Sequence, residues 1–114
     1  MQDCLFCKII SGEIPVQKVY EDEKVLAFKD ISPVAPVHVL IIPKKHIATL
    51  VDLNSDDSGL MGHIITAASN IAKELGISEK GFRLVSNCKE EGGQTVYHIH
   101  FHLIGGRQMQ WPPG

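Results

Sequence analysis

Apolar positions recur along the chain at two spacings, and each predicts its own kind of element. The most regular set is Met61, Ile64, Ile65, Ala68, Ile71, Ala72 and Leu75. Its three-and-four spacing predicts one long amphipathic helix over residues 58–75. Asp56, Asp57 or Ser58 can cap its start, and Gly76 suits its end. Residues 3–10 repeat the pattern in miniature with Phe6, Ile9 and Ile10; Asp3 is the candidate N-cap and Ser11-Gly12 the stop. Glu13-Ile14-Pro15 is expected to be extended, because a residue before proline is pushed out of the helical region. Runs rich in β-branched residues predict strands over 18–20, 25–28 and 37–42. A polar turn at 21–24 joins the first two, a proline-marked loop at 30–36 precedes the third, and Pro43 closes it. Further strands are expected over 82–87, with Phe82, Leu84 and Ser86 on one face, and over 96–104. Most connections are too short for a parallel crossover. The expectation is an α+β fold with a mostly antiparallel five-stranded sheet, one long and one short helix, in a single domain over 1–114.

Composition narrows the function classes. A chain of 114 residues, 44% hydrophobic and 21% charged, can build a core without disulfide staples. Eleven basic against 13 acidic residues give a net charge of −2. That argues against a nucleic-acid surface, which declares itself as basic excess, and leaves room for a local phosphate site. No apolar run reaches the roughly 18–20 residues of a membrane span, so no membrane partner is expected. Met1-Gln2-Asp3-Cys4 lacks the basic and apolar regions of a signal peptide, which makes the cytoplasm the expected location. Three cysteines, an odd number, argue against a disulfide framework.

The chemistry concentrates in Tyr97-His98-Ile99-His100-Phe101-His102-Leu103. If this is a strand, its period of two turns Tyr97, Ile99, Phe101 and Leu103 to the core and lines His98, His100 and His102 on the other face. A solvent-facing polar row is one reading. A metal site is another, although His98 and His102 would have backbones about 13 Å apart at a rise of ~3.3 Å per residue. Nucleophilic catalysis fits the spacing better: one imidazole attacks phosphorus while its neighbours orient it and protonate the leaving group. The preceding Gly92-Gly93-Gln94-Thr95 reads as an anion-approaching loop, with Gln94 and Thr95 adding side-chain donors.

These residues match the signature His-x-His-x-His followed by two apolar residues, and the chain resembles the histidine-triad superfamily. The resemblance covers almost the whole chain. It includes Lys8-Ile9-Ile10, Glu13-Ile14-Pro15, Leu26-Ala27-Phe28, Asp30-Ile31-Ser32-Pro33, Ala35-Pro36-x-His38, Ile42-Pro43-Lys44-Lys45-His46-Ile47 and Gly92-Gly93-Gln94. The tail Gly105-Gly106-Arg107-Gln108-Met109-Gln110-Trp111-Pro112-Pro113-Gly114 resembles the Hint branch of purine nucleoside phosphoramidases. The resemblance implies that His100 attacks the α-phosphorus of a nucleoside 5′-phosphoramidate or aminoacyl-adenylate and carries the nucleotidyl group. It implies that His98 orients His100 with His38 behind it, and that His102 contacts the phosphate near the leaving group. Asn87, Gly93, Gln94 and Thr95 would serve the phosphate or leaving-group side; Thr95 stands where relatives commonly have Ser, and keeps the hydroxyl. Asp30 would accept both ribose hydroxyls, and Phe6, Ile14, Phe28 and Ile31 would form the apolar slot for the base.

Cys4-x-x-Cys7 has metal-ligand spacing. Some histidine-triad proteins are similar in holding zinc with such a pair, so the resemblance implies a structural zinc on Cys4, Cys7, His46 and His98; no cofactor is expected for catalysis. It also implies a homodimer that packs by the long helix and late strands into one continuous ten-stranded sheet, with Trp111 reaching toward the partner's site. The strand ending at Ile104 is expected to leave the open edge. His63 and Cys88 are read as structural or incidental. A dinucleoside polyphosphate hydrolase, or a purine-nucleotide-binding regulatory module with incidental hydrolysis, are the alternatives. A nucleotidyl transferase is less expected, since that branch has Gln in place of the last triad histidine.

Overall fold

Val25, Leu26, Ala27 and Phe28 are all buried, so the strand they form must be covered on both faces. The computed structural model, which describes residues 3–114, shows how. Strands β1 (Lys18–Glu21), β2 (Val25–Lys29), β3 (Val37–Pro43), β4 (Phe82–Val85) and β5 (Phe101–Gly105) make one sheet. Its order is β1-β2-β3-β5-β4, and every neighbouring pair is antiparallel. Helix α2 (Ser58–Glu74) covers one face. There Ile64, Ala67, Ala68, Ile71 and Ala72 pack on Val25, Ala27, Val39, Ile41 and Leu103. Helix α1 (Leu5–Ile10) covers the other, packing Phe6 and Ile9 on Leu26, Phe28, Leu40 and Ile42. Helix α3 (Lys89–Gly92) and two 3-10 turns, Leu50–Asp52 and Ser55–Asp57, complete the chain. The α+β architecture is as expected.

Four details depart from the expectation. The last strand starts at Phe101 rather than at 96. The register pairs Ile41 with Phe101, so the next inward-facing partners would be Pro43 and Ile99. Proline has no N–H to donate, and Ile99 N instead donates to Ile47 O at 2.7 Å. Tyr97 therefore leaves the core and is 47% exposed. Second, the strand expected over 82–87 stops at Val85. Third, the buried stripe of α2 runs 64, 67, 68, 71, 72, so Ala67 replaces Ile65, which is 55% exposed; two residues apart, they lie about 200° from each other around the helix. Fourth, β5 lies between β3 and β4, so the strand ending at Ile104 is internal and the edges are β1 and β4.

The caps also differ. Cys4, not Asp3, holds the N-cap of α1, its Sγ accepting from Cys7 N at 3.2 Å. Asp57 holds the N-cap position of α2. Its carboxylate accepts from Lys45 Nζ at 2.7 Å and Asn54 N at 3.1 Å instead of capping. Gly76 follows the helix at φ 76°, a left-handed turn that suits glycine.

Candidate functional site

His38 on β3 and His102 on β5 lie on the α1 face of adjacent strands, where the register pairs Leu40 with His102 and His38 with Ile104. They are diagonal neighbours, close enough for long side chains to meet. His38 Nε2 and His102 Nδ1 are 2.9 Å apart. Val34 N donates to His38 Nδ1 at 3.2 Å, so the proton of neutral His38 sits on Nε2 and is donated to His102 Nδ1. That leaves His102 with its own proton on Nε2. Asp30 Oδ2 lies 3.4 Å from His38 Nε2 and adds a carboxylate to the chain.

His100 carries the opposite tautomer. Its Nδ1 donates to the His98 carbonyl at 2.8 Å, so Nε2 of the neutral ring keeps a lone pair. The ring of Phe6 packs edge-on against it with centroids 5.0 Å apart, and Ser86 Oγ donates to His100 O at 2.8 Å. Burial holds the His100 pKa below the usual imidazole value, although the bond to His98 O and the Asp30 charge oppose it. Burial, then His100, then His38 push His102 down to about 4. The site thus sets an unprotonated nitrogen on His100 beside an N–H donor on His102, with ring centroids 5.1 Å apart. Sequence reasoning missed Ser86 and the His98 carbonyl, because neither role leaves a residue-type signal.

His98 turns away from this pair. It is fully buried, and its Nε2 donates to Pro43 O at 2.8 Å, which leaves a lone pair on Nδ1. That nitrogen lies 3.3 Å from Cys4 Sγ, 3.6 Å from Cys7 Sγ and 3.2 Å from His46 Nδ1. Cys7 Sγ and His46 Nδ1 are 3.4 Å apart. Tetrahedral zinc with bonds of about 2.0–2.1 Å to N and 2.3 Å to S has edges of about 3.3 Å (N···N) and 3.6 Å (S···N). The four donors therefore fit such an ion, and the bond from His98 to Pro43 O supplies the outer support that metal-bound histidines need. Burial, with Cys4 beside it, raises the Cys7 thiol to about 11. Two expectations change here: His38 stands behind His102 rather than His98, and His98 orients His100 through its carbonyl, not its ring.

The nucleoside candidates are less gathered. Asp30 lines a cavity of about 520 Å³ with Pro15, Val16, Gln17, Lys29 and Ile31, and its Oδ1 accepts from Ser32 N at 2.8 Å. Phe6, Phe28 and Ile14 belong to the α1-side core, whereas Ile31 is 97% exposed. Gly93 ends α3 at φ 83°. Asn87 is half-buried, and Thr95 is exposed beside His46 and Cys4. Gln94 differs from its expected part as a donor. Its Nε2 donates to Ala48 O at 2.7 Å and Val96 O at 3.0 Å, and its Oε1 accepts from Lys89 N at 2.8 Å. The side chain pins the loop and has no donor left for a ligand. Trp111 is 82% exposed on its own chain. Cys88 is a free thiol, and His63 bonds Asp22 at 2.7 Å.

A family profile described as HIT domain matches residues 11–109. A HIT family hydrolase from Legionella pneumophila Philadelphia 1 superposes with a TM-score of 0.97 and 61% identity, over 98% of this chain and 100% of that one. The histidine triad nucleotide-binding protein from Candida albicans gives 0.82 and 37%, over 96% and 83% of the two chains. The 14 kDa zinc-binding protein of Brassica juncea is 52% identical over 98% of this chain and all of that one.

Proposed function

The chain belongs to the HIT domain family, and on that premise we propose that it is a nucleotide hydrolase cleaving the P–N bond of purine nucleoside 5′-phosphoramidates. The observation that carries the reading is the pair of opposed hydrogen-bond partners, a carbonyl at His100 Nδ1 and the His38 ring at His102 Nδ1, which call for opposite tautomers. His100 Nε2 attacks the α-phosphorus, a P–N bond to His100 forms, and the substrate's P–N bond breaks with its electron pair leaving on the amine. His102 Nε2–H donates the proton that the amine takes, and His38 and Asp30 hold His102 in that tautomer. Water then attacks the nucleotidyl-His100 adduct, gives a proton to His102, and releases the nucleoside monophosphate. Aminoacyl-adenylates present the same α-phosphorus with a different leaving group.

Asp30 accepts the ribose hydroxyls, since one carboxylate accepts two hydrogen bonds. Ile31, Ile14 and the edges of Phe6 and Phe28 flank the base. Asn87, Thr95 and the Gly93 backbone face the phosphate or leaving-group side, and Trp111 acts from a partner subunit in a homodimer. Cys4, Cys7, His46 and His98 would hold a zinc ion, and with four protein ligands its part would be structural. Catalysis needs no further cofactor. The substrate is a small purine nucleotide in the cytoplasm, with no nucleic-acid or membrane partner. Among the described residues no helix is long and apolar enough to cross a membrane.

The test is a turnover screen of adenosine and guanosine phosphoramidates against dinucleoside polyphosphates, with a nucleotidyl adduct trapped on His100. His100→Ala and His100→Asn should abolish turnover and retain nucleotide binding, because a lost covalent nucleophile removes the reaction path. Near-wild-type turnover in either variant refutes the assignment. Faster cleavage of dinucleotides selects the polyphosphate hydrolase, and binding without an adduct selects the regulatory module.

A further inference from the structure

His98 belongs to two networks at once. Its ring supplies Nδ1 to the cluster with Cys4, Cys7 and His46. Its carbonyl accepts the Nδ1–H of His100 at 2.8 Å, the bond that leaves Nε2 of His100 free. The same short segment is gripped from the outside. Phe6, one residue before Cys7 on α1, packs edge-on against both rings, with centroids 5.9 Å from His98 and 5.0 Å from His100. Among the described residues no strand ladder holds this stretch, since β5 begins only at Phe101. Its anchors are the Ile99–Ile47 bond, the His98–Pro43 bond, the Ser86 bond to His100 O and the four-donor cluster.

We propose that the Cys4–Cys7–His46–His98 cluster, when it holds a metal ion, positions the nucleophile: it locks the 98–100 backbone so that the His98 carbonyl fixes the tautomer of His100. Cys4, Cys7 and His46 are then positioning residues for a reaction they do not touch. The inference rests on His100 being the nucleophile. The His98 carbonyl shares its peptide with the Ile99 N–H that bonds Ile47 O, the residue after His46, so the cluster holds both sides of that bond through His98 and His46. With both released the peptide can turn, and a neutral imidazole that loses its Nδ1 acceptor is free to carry its proton on Nε2 instead. Asp30, Ile31 and Phe28 lie on β2 and the loop after it, and of the nucleoside contacts only Phe6 shares α1 with the cluster, so the coupling should act chiefly on turnover and far less on binding.

The experiment compares the full-length protein loaded with Zn²⁺, stripped with a chelator, and loaded with the larger Cd²⁺. The main readout is the His100 Nδ1–H resonance, assigned by its loss in His100→Asn. In the zinc form it should be sharp and protected from exchange. Stripping, or Cys7→Ser, should speed its exchange at least about tenfold and lower kcat by about tenfold, as is usual for outer support of a site, with KM changed less than about twofold. Cys7→His loaded with Zn²⁺ keeps a donor and should restore both. Cd²⁺ should shift the resonance in a protein that stays folded and filled, which keeps the test decisive if the stripped form unfolds. Identical His100 signals in the zinc and cadmium forms, or in folded stripped protein, overturn the coupling. If His100→Asn still turns over, the nucleophile assignment fails instead, and the two failures are told apart.

Discussion

At the residue scale, one backbone amide and one backbone carbonyl decide where single protons sit in the histidine cluster. Val34 N–H points the lone pair of His38 one way, and the His98 carbonyl points the lone pair of His100 the other. His102, lowered to about 4 by burial and its two histidine neighbours, stays neutral in the folded protein where a free imidazole near 6.5 would charge. Its folded pKa is depressed, so between about 6.5 and 4 the unfolded chain binds a proton that the folded chain does not. Stability should therefore fall as pH falls through that window, and His102→Gln should flatten the slope of melting temperature against pH between 7 and 4. An unchanged slope counts against it. Asp30 has a sharper test. Asp30→Ala should weaken ribonucleotide binding by about tenfold or more, the usual cost of lost hydrogen bonds to a charged group. It should also erase any preference for ribose over deoxyribose; a preference retained in the variant makes Asp30 a turn residue. The triad was legible in the sequence as chemistry but not as geometry. A period of two lines up three histidines, whereas His98 and His100 lie outside the strand and obey the cysteines and the backbone.

At the element scale, the sheet's central strands decide what the termini of the others can do. β3 ends in proline, so β5 cannot extend back past Phe101, and the freed segment becomes site rather than sheet. The strand pattern of the sequence contains Pro43 but not the register that sets it opposite Ile99; register is a long-range fact. The helix face was half legible for the same reason. Spacing located α2 to within a residue at its end, while the sheet chose Ala67 over Ile65. At its far end β5 closes on Gly105, paired with both Val37 and Phe82. A Cβ there would meet Ile77 Cδ1 at 2.7 Å and Ile77 Cβ at 3.1 Å. Gly105→Ala should thus destabilise the fold by about 1–3 kcal/mol, as overpacked cores do. Adding Ile77→Val, which removes the nearer atom, should recover part of it in urea unfolding. A neutral Gly105→Ala would show that the α2–β4 connection yields freely.

At the scale of the whole molecule, one chain leaves surfaces that need explaining together. β4 is an open edge, and soluble proteins usually cover such edges. Ile65 on α2, Phe82 on β4 and Trp111 in the tail are all exposed. The tail is not loose: Arg83 on β4 donates to Gln110 O at 2.8 Å, and Arg107 Nε donates to Val34 O at 2.9 Å. The Arg107 bond ties the start of the tail to the loop before β3, the Arg83 bond holds Gln110 beside β4, and Trp111 beyond them is exposed. A homodimer joined through α2 and the β4 edges would cover the apolar positions, continue the sheet to ten strands and receive each Trp111 near the partner's site. On this reading, deleting residues 111–114 should leave the dimer intact, because neither α2 nor β4 is touched, but should change which amine leaving groups are accepted. Light scattering at micromolar concentration and the ratio of kcat/KM for a small and a bulky amine check the two halves separately. A monomer removes the interface, and an unchanged ratio removes the tail from the site.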